Sequence, residues 1–248
     1  MNETIKCKKL VFFSIRVFIF LAIYLIIGLL FTRLSSVNND YESVSSHSID
    51  IKNAPIIIID PGHGGVDGGA VSESGVVEKE INLKIAQNLR DLFSLSGIRC
   101  ILTRESDIEL KPKNGGSSSR KRSDLLARIE IGNSYDNAVF VSIHQNKYPS
   151  SRLSGMQVFY SKNHKDSRIL AESIKSSNTR LIDSQNRREI KPAGREIMIL
   201  DSLQIPAVLV ECGFLSNAAE AKKLSSEEYR KELAFMLYCA LFEYFGTK

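Results

Sequence analysis

IIIIDPGHGGVDGGAVSESGVVEKEINL, residues 56 to 83, opens as an unbroken apolar run, turns through a glycine-rich stretch carrying His63, and ends in an acidic segment that begins at Glu78. Four consecutive isoleucines ahead of Asp60 predict a strand covered on both faces, as in a parallel sheet. Beyond the glycines, Ile81, Ile85, Leu89, Leu92 and Phe93 recur at helical spacing, so a helix is expected from Glu78 to Ser96. Strand, glycine turn and helix form the opening unit of an α/β fold, in which ligands bind beyond the carboxyl ends of the strands.

The alternation continues downstream. GIRCILTR (97–104), NAVFVSIHQN (137–146) and PAVLVEC (206–212) read as buried strands, and GMQVFY (155–160) as a strand with edge or antiparallel character. Helices are expected from Ser123 to Ile131, from Lys165 to Arg180 and from Glu227 to Phe245, while REIMIL (195–200) fits a short helix or a strand. The polar, Gly/Ser-rich ELKPKNGGSSSRKR (109–122) reads as a surface loop. The expectation is a single α/β domain over residues 54–248, with a mostly parallel sheet flanked by helices on both faces.

Ahead of it, residues 10–31 are apolar except for Ser14 and Arg16, close to the length a membrane-spanning helix needs. Lys6, Lys8 and Lys9 place residues 1–9 in the cytoplasm and the rest of the chain across the membrane. Residues 32–53, rich in Ser, Asn and Asp and including His47, read as a flexible linker. An uncleaved anchor with the α/β domain on the extracytoplasmic side is expected, and cleavage within LLFTRLSSV would give a secreted form.

Lys and Arg outnumber Asp and Glu by 33 to 28, a formal charge of +5 spread along the chain. That suits a neighbourhood of anionic polymers but is too diffuse to argue for nucleic acid, which is not expected as a partner. The four cysteines show no metal-finger spacing, and Cys100, Cys212 and Cys239 fall in apolar patterns that predict buried thiols.

The chemistry-bearing residues gather at the predicted strand ends: Asp60 and His63 after the first, His144 after the second long strand, Glu211 after the last. Buried charge there costs several kcal/mol unless it is paired or bound to a metal. Zinc at catalytic sites commonly takes two histidines and a carboxylate, which His63, His144 and Glu78 can supply, with Glu73 and Glu80 as competitors for the carboxylate role. Glu211 would remain to move protons for a water molecule attacking a carbonyl. No short ligand spacing such as H-E-x-x-H is present, so the residues alone leave open a polar rim of hydrogen-bonded histidines.

DPGHGGVDGGA (60–70), VEKEINL (77–83), SIHQN (142–146) and PAVLVECGFLSN (206–217), in this order, resemble the zinc-dependent N-acetylmuramoyl-L-alanine amidases of amidase type 3, over about Ile56 to Phe245. The resemblance implies a six-stranded sheet, zinc held by His63, Glu78 and His144, and Glu211 as the catalytic glutamate. It also implies peptidoglycan as substrate, cut at the amide between the muramic acid lactyl group and L-alanine. The membrane segment, the insert GGSSSRKRSDLLAR and the lack of a wall-binding repeat look like the sporulation-specific group of this family. That likeness implies action on spore cortex, as the first step toward the muramic-δ-lactam needed for germination.

Two positions depart from the family pattern. Gln145 is expected to alter substrate contacts, and Cys212, beside Glu211, to be sensitive to oxidation. Among weaker candidates, Asp60 orients the turn, bonds His63 or caps its strand; Asn146 binds substrate or turns the chain; Arg195 meets a peptide carboxylate or solvent. Ser216 or Asn217 caps a helix start, and His164 is expected to be exposed. Because the ligands come from three separate segments, a protein activator that promotes zinc binding or orders the site is a further expectation. Two rival classes share the residues: a zinc peptidase cutting a peptide bond, disfavoured by the ordered motifs, and an inactive wall-binding protein, which would be expected to have lost a ligand or the base.

Overall fold

The structure is a computed structural model in which residues 54–113 and 119–247 are described. The expected cytoplasmic terminus, membrane span and linker, residues 1–53, lie outside them. Among the described residues no helix is long and apolar enough to cross a membrane.

Six strands form one sheet: β1 (Ile56–Pro61), β2 (Cys100–Leu102), β3 (Ala138–Asn146), β4 (Gln157–Tyr160), β5 (Lys191–Pro192) and β6 (Ala207–Phe214). Their order is β2-β1-β3-β6-β4-β5. The first four run parallel, whereas β4 runs antiparallel to β6 and β5 parallel to β4. Single α/β domain, six strands and a mostly parallel sheet therefore all hold, as does the antiparallel character of 155–160.

Why both faces are covered is visible in the period-two alternation of the strands. Ile57, Ile59, Val139, Val141, Val208 and Val210 enter one core with helices α1 (Glu78–Leu95), α3 (Asp166–Leu181) and α6 (Glu227–Gly246). Ile58, Phe140 and Leu209 point the other way, into a smaller core with α2 (Arg120–Gly132) and the short α4 (Met198–Ser202). A further helix, α5 (Ala218–Ser225), starts where Asn217 accepts from the backbone N–H groups of Ala219 and Glu220.

Two details correct the sequence reading, and one settles an alternative it left open. Helix α2 begins at Arg120, so RKR belongs to the helix and not to the loop; Ser119 caps it by accepting from Arg122 N. The segment around 195–200 resolves into α4, since Ile197 bends the chain before Met198. His164 is half-buried, its Nδ1 accepting from Asp166 N at the start of α3.

Candidate active site

Strands β1, β3 and β6 end side by side, and the turn after β1 carries His63. That residue sits at φ 62, a left-handed conformation rarely taken without glycine and costing on the order of 1–3 kcal/mol. Two buried arginines hold the backbone there. Arg128 of α2 donates to the carbonyls of Pro61 (2.8 Å) and His63 (2.7 Å), and Arg104 to those of Pro61 (2.9 Å) and Gly62 (3.0 Å). Beneath them Asp60, 1% exposed, receives Arg128 Nη1 at 2.5 Å, Thr103 Oγ1 at 2.6 Å and Ser142 Oγ at 2.7 Å. Burial alone would raise the Asp60 pKa, but the Arg128 charge and the two hydroxyls hold it below the usual carboxylate range.

Glu78 opens α1 and points back under the turn. Its Oε2 accepts from Ala70 N (2.7 Å) and lies 3.3 Å from His63 Nε2; its Oε1 accepts from Gln145 N (3.0 Å) and lies 3.0 Å from His144 Nδ1. Burial pushes its pKa up, and hydrogen bonds from His144 and His63 outweigh that, leaving Glu78 ionised. For His63, burial works against protonation while Glu78 and Asp67 favour it more strongly, so its pKa rises. The two imidazole rings meet edge to face with centroids 4.9 Å apart. Donor atoms of His63, Glu78 and His144 all lie within 4.8 Å of one another, the one such group among the described residues able to hold a metal ion.

Glycine is required where the rings pack. A Cβ on Gly62 would come within 2.2 Å of the His144 Cε1 and Nε2 atoms. On Gly69, which sits at φ 68, it would come within 2.5 Å of Glu78 Oε2 and 2.7 Å of His63 Cδ2.

Glu211 faces His144 directly, their Cα atoms being register partners across β3 and β6, a spacing of about 5 Å. Its Oε2 is buried and has no hydrogen-bond partner. Burial, reinforced by the nearby Glu78 charge, raises its pKa to about 7 despite the histidines. A carboxyl group at that value exchanges protons readily near neutral pH, and an orphaned buried oxygen is costly unless something polar faces it.

A family model described as N-acetylmuramoyl-L-alanine amidase matches residues 57–242. The chain belongs to that family. It is 36% identical over 194 residues to the germination-specific N-acetylmuramoyl-L-alanine amidase of Bacillus subtilis (strain 168), a span covering 78% of this chain and 81% of that protein. Among solved structures it is similar to the CwlD amidase from Clostridioides difficile in complex with the GerS lipoprotein. That likeness has a TM-score of 0.73 and 39% identity and covers 78% of this chain and all of the other (100%). An N-acetylmuramoyl-L-alanine amidase from Clostridium difficile 630 gives a TM-score of 0.68 and 30% identity, covering 79% and 99%. Amidase activity, the expected reaction class, follows from the family.

Within this amidase the structure gathers His63, Glu78, His144 and Glu211 and sets other candidates apart. Glu73 and Glu80 lie outside the cluster. Asp60 does not touch His63; it serves Arg128, and the bond to His63 Nδ1 comes instead from Asp67 at 3.0 Å. Asp67 escapes a motif reading, although a carboxylate four residues after His63 in the same glycine turn is the signal for it. Gln145 is 3% exposed and is not placed to contact substrate: its Nε2 donates to Asn82 Oδ1, and Asn82 Nδ2 donates to Gly62 O and Glu78 Oε1. Cys212 is buried too, and burial raises its thiol pKa, the opposite of an oxidation-sensitive site. Burial likewise pushes the half-buried Cys100 thiol up to about 12. Asn146 ends β3 opposite Phe214 of β6, its carbonyl accepting from Leu215 N, and Arg195 is exposed.

Proposed function

We propose that the chain is a zinc-dependent N-acetylmuramoyl-L-alanine amidase of the spore cortex, cutting the amide between the muramic lactyl group and L-alanine ahead of muramic-δ-lactam formation. The observation that carries the zinc reading is the convergence of two imidazoles and one carboxylate beside the unpartnered Glu211 Oε2. Two nitrogens and an oxygen are a donor set typical of catalytic zinc, and His63, Glu78 and His144 would hold the ion. Bound there, zinc would supply a Lewis acid that polarises the amide carbonyl and acidifies water.

The chain's own groups supply the rest. Glu78, held ionised by its hydrogen bonds, keeps both imidazoles turned toward one point. Glu211 Oε2 accepts a proton from the attacking water and then delivers it to the departing L-alanine amine, which leaves the lactyl group as a carboxylate. Its raised pKa suits both halves of that exchange.

The cortex assignment is supported by the similarity to the germination-specific relative of Bacillus subtilis. In the same proposal residues 10–31 tether the enzyme on the extracytoplasmic side. A protein partner strengthens ion binding, a reading supported by the similar amidase whose structure is a complex with a lipoprotein. The test is Glu211→Gln in the full chain: zinc content stays at the wild-type level while the rate on cortex peptidoglycan falls at least about 100-fold. Undiminished activity removes Glu211 from the chemistry. Release of a new peptide terminus, in place of a free lactyl carboxyl, would move the enzyme to the peptidases.

A further inference from the structure

Past Glu211, β6 runs on to Phe214, and that end of the sheet borders a second feature. A groove of about 430 Å³ is lined by Arg152, Arg187 and Arg188, with Asp183 as the carboxylate beside them. It is fastened to β6. The Arg188 guanidinium carbon lies 4.6 Å above the Phe214 ring, and the Arg188 Nε donates to Ser154 O at 2.8 Å. Glu220 accepts from Gly155 N (2.9 Å) and Phe214 N (2.8 Å), joining the turn before β4 to the end of β6. Because β6 bulges there, Glu211 and Phe214 pair with His144 and Asn146, only two residues apart on β3, a span of about 7 Å.

The charge here is unbalanced. Arginines with carboxylate partners lie elsewhere, at Arg90, Arg128, Arg168 and Arg180. Among the described residues, Arg152, Arg187 and Arg188 have no carboxylate within ion-pair distance, and Asp183 turns its Oδ1 to Gln185 N at 3.0 Å. Arg187 is steadied by donating from Nη1 to Ser184 O at 2.9 Å. A fixed guanidinium presents N–H groups in a fork that matches a carboxylate.

We propose that this groove binds the carboxylate-bearing stem peptide on the leaving-group side of the scissile amide. The inference rests on the amidase reading. An extended peptide advances about 3.3–3.6 Å per residue, so a side-branch carboxylate two residues past the reacting carbonyl reaches about the distance at which the groove begins. The concave shape favours a peptide over an anionic membrane surface, which a flat basic face would fit better.

The test uses the full chain loaded with zinc, on muropeptides whose glutamyl α-carboxyl group is either free or amidated. Arg152→Gln/Arg187→Gln raises KM about 10-fold on the free-carboxyl form, with kcat within about twofold and the amidated form unaffected. Arg187→Lys restores part of the loss. An equal effect on both forms overturns the inference and leaves the amidase reading standing. Unchanged KM with weakened binding to phosphatidylglycerol vesicles overturns it in favour of a membrane face. Wild-type enzyme that cleaves neither form overturns the amidase reading and this inference together.

Discussion

Asp67 Oδ2 lies 3.0 Å from the Nδ1 of His63, leaving the opposite ring nitrogen to face Glu78. A carboxylate in that position fixes the tautomer and orientation of a ligating imidazole and raises its basicity. Asp67→Asn is therefore expected to weaken zinc binding about 10- to 100-fold while the fold persists. Competition with a chromogenic chelator measures it, and wild-type affinity in the variant would show that the contact is incidental.

Gly62→Ala tests the packing of the second ring. The added methyl group would stand 2.2 Å from two His144 ring atoms, so the imidazole must leave its place. Zinc content is expected to fall well below one equivalent, with circular dichroism unchanged. Full loading would mean that His144 does not ligate in the orientation seen.

Which parts of this were legible beforehand follows from the physics of each element. Ile57, Ile58 and Ile59 announce a two-faced strand because every side chain is buried, and the α1 periodicity survives because Ile81, Ile85 and Leu89 all pack on the sheet. The site cluster is legible through its motifs. Arg128 and Arg104 are not, because an arginine inside an amphipathic pattern looks solvated until the tertiary fold sets backbone carbonyls against it. Gln145 misleads for a related reason: next to His144 in sequence, it continues the alternation of Val139, Val141 and Ile143 along β3 and so points into the core.

The Asp60–Arg128 pair gives a stability prediction. Arg128 is 3% exposed and is held by two carboxylates, Asp60 at 2.5 Å and Asp124 at 2.6 Å, so neutralising Asp60 removes one charge-assisted bond and leaves Asp124 as the remaining counter-charge. Asp60→Asn is expected to cost about 1.5–3 kcal/mol, the range for losing a hydrogen bond to a charged group, read from urea unfolding at pH 7. Because the folded pKa of Asp60 is depressed, its contribution is present above the ordinary carboxylate range and fades as pH falls through the lower folded value. The gap between variant and wild type should narrow in acid; a constant gap would assign the loss to packing.

Glu211 behaves in the opposite sense. Its pKa is raised from 4.5 to about 7, chiefly by burial, so the metal-free fold prefers the neutral acid. Stability from this group is full below about 4.5 and is lost as pH rises through about 7, on the order of 3 kcal/mol. Metal-free Glu211→Gln should match wild type near pH 4, below the unfolded pKa, and melt at a higher temperature near pH 8. Equal differences at both pH values would place the Glu211 titration elsewhere.

Removing zinc should not unfold the domain, since both hydrophobic cores are built without the cluster. Chelation is expected to abolish turnover and leave the helical signal intact, in contrast to a zinc finger. A cooperative loss of helix on chelation would show that the ion also carries the fold.

The reversal of strand direction between β6 and β4 divides labour across the sheet. His63 and His144 follow or end strands on one side of Glu211, while the segments 147–156 and 182–190 arrive from the other side, before β4 and β5. Lengthening or recharging those two segments would therefore leave every hydrolytic group where it stands.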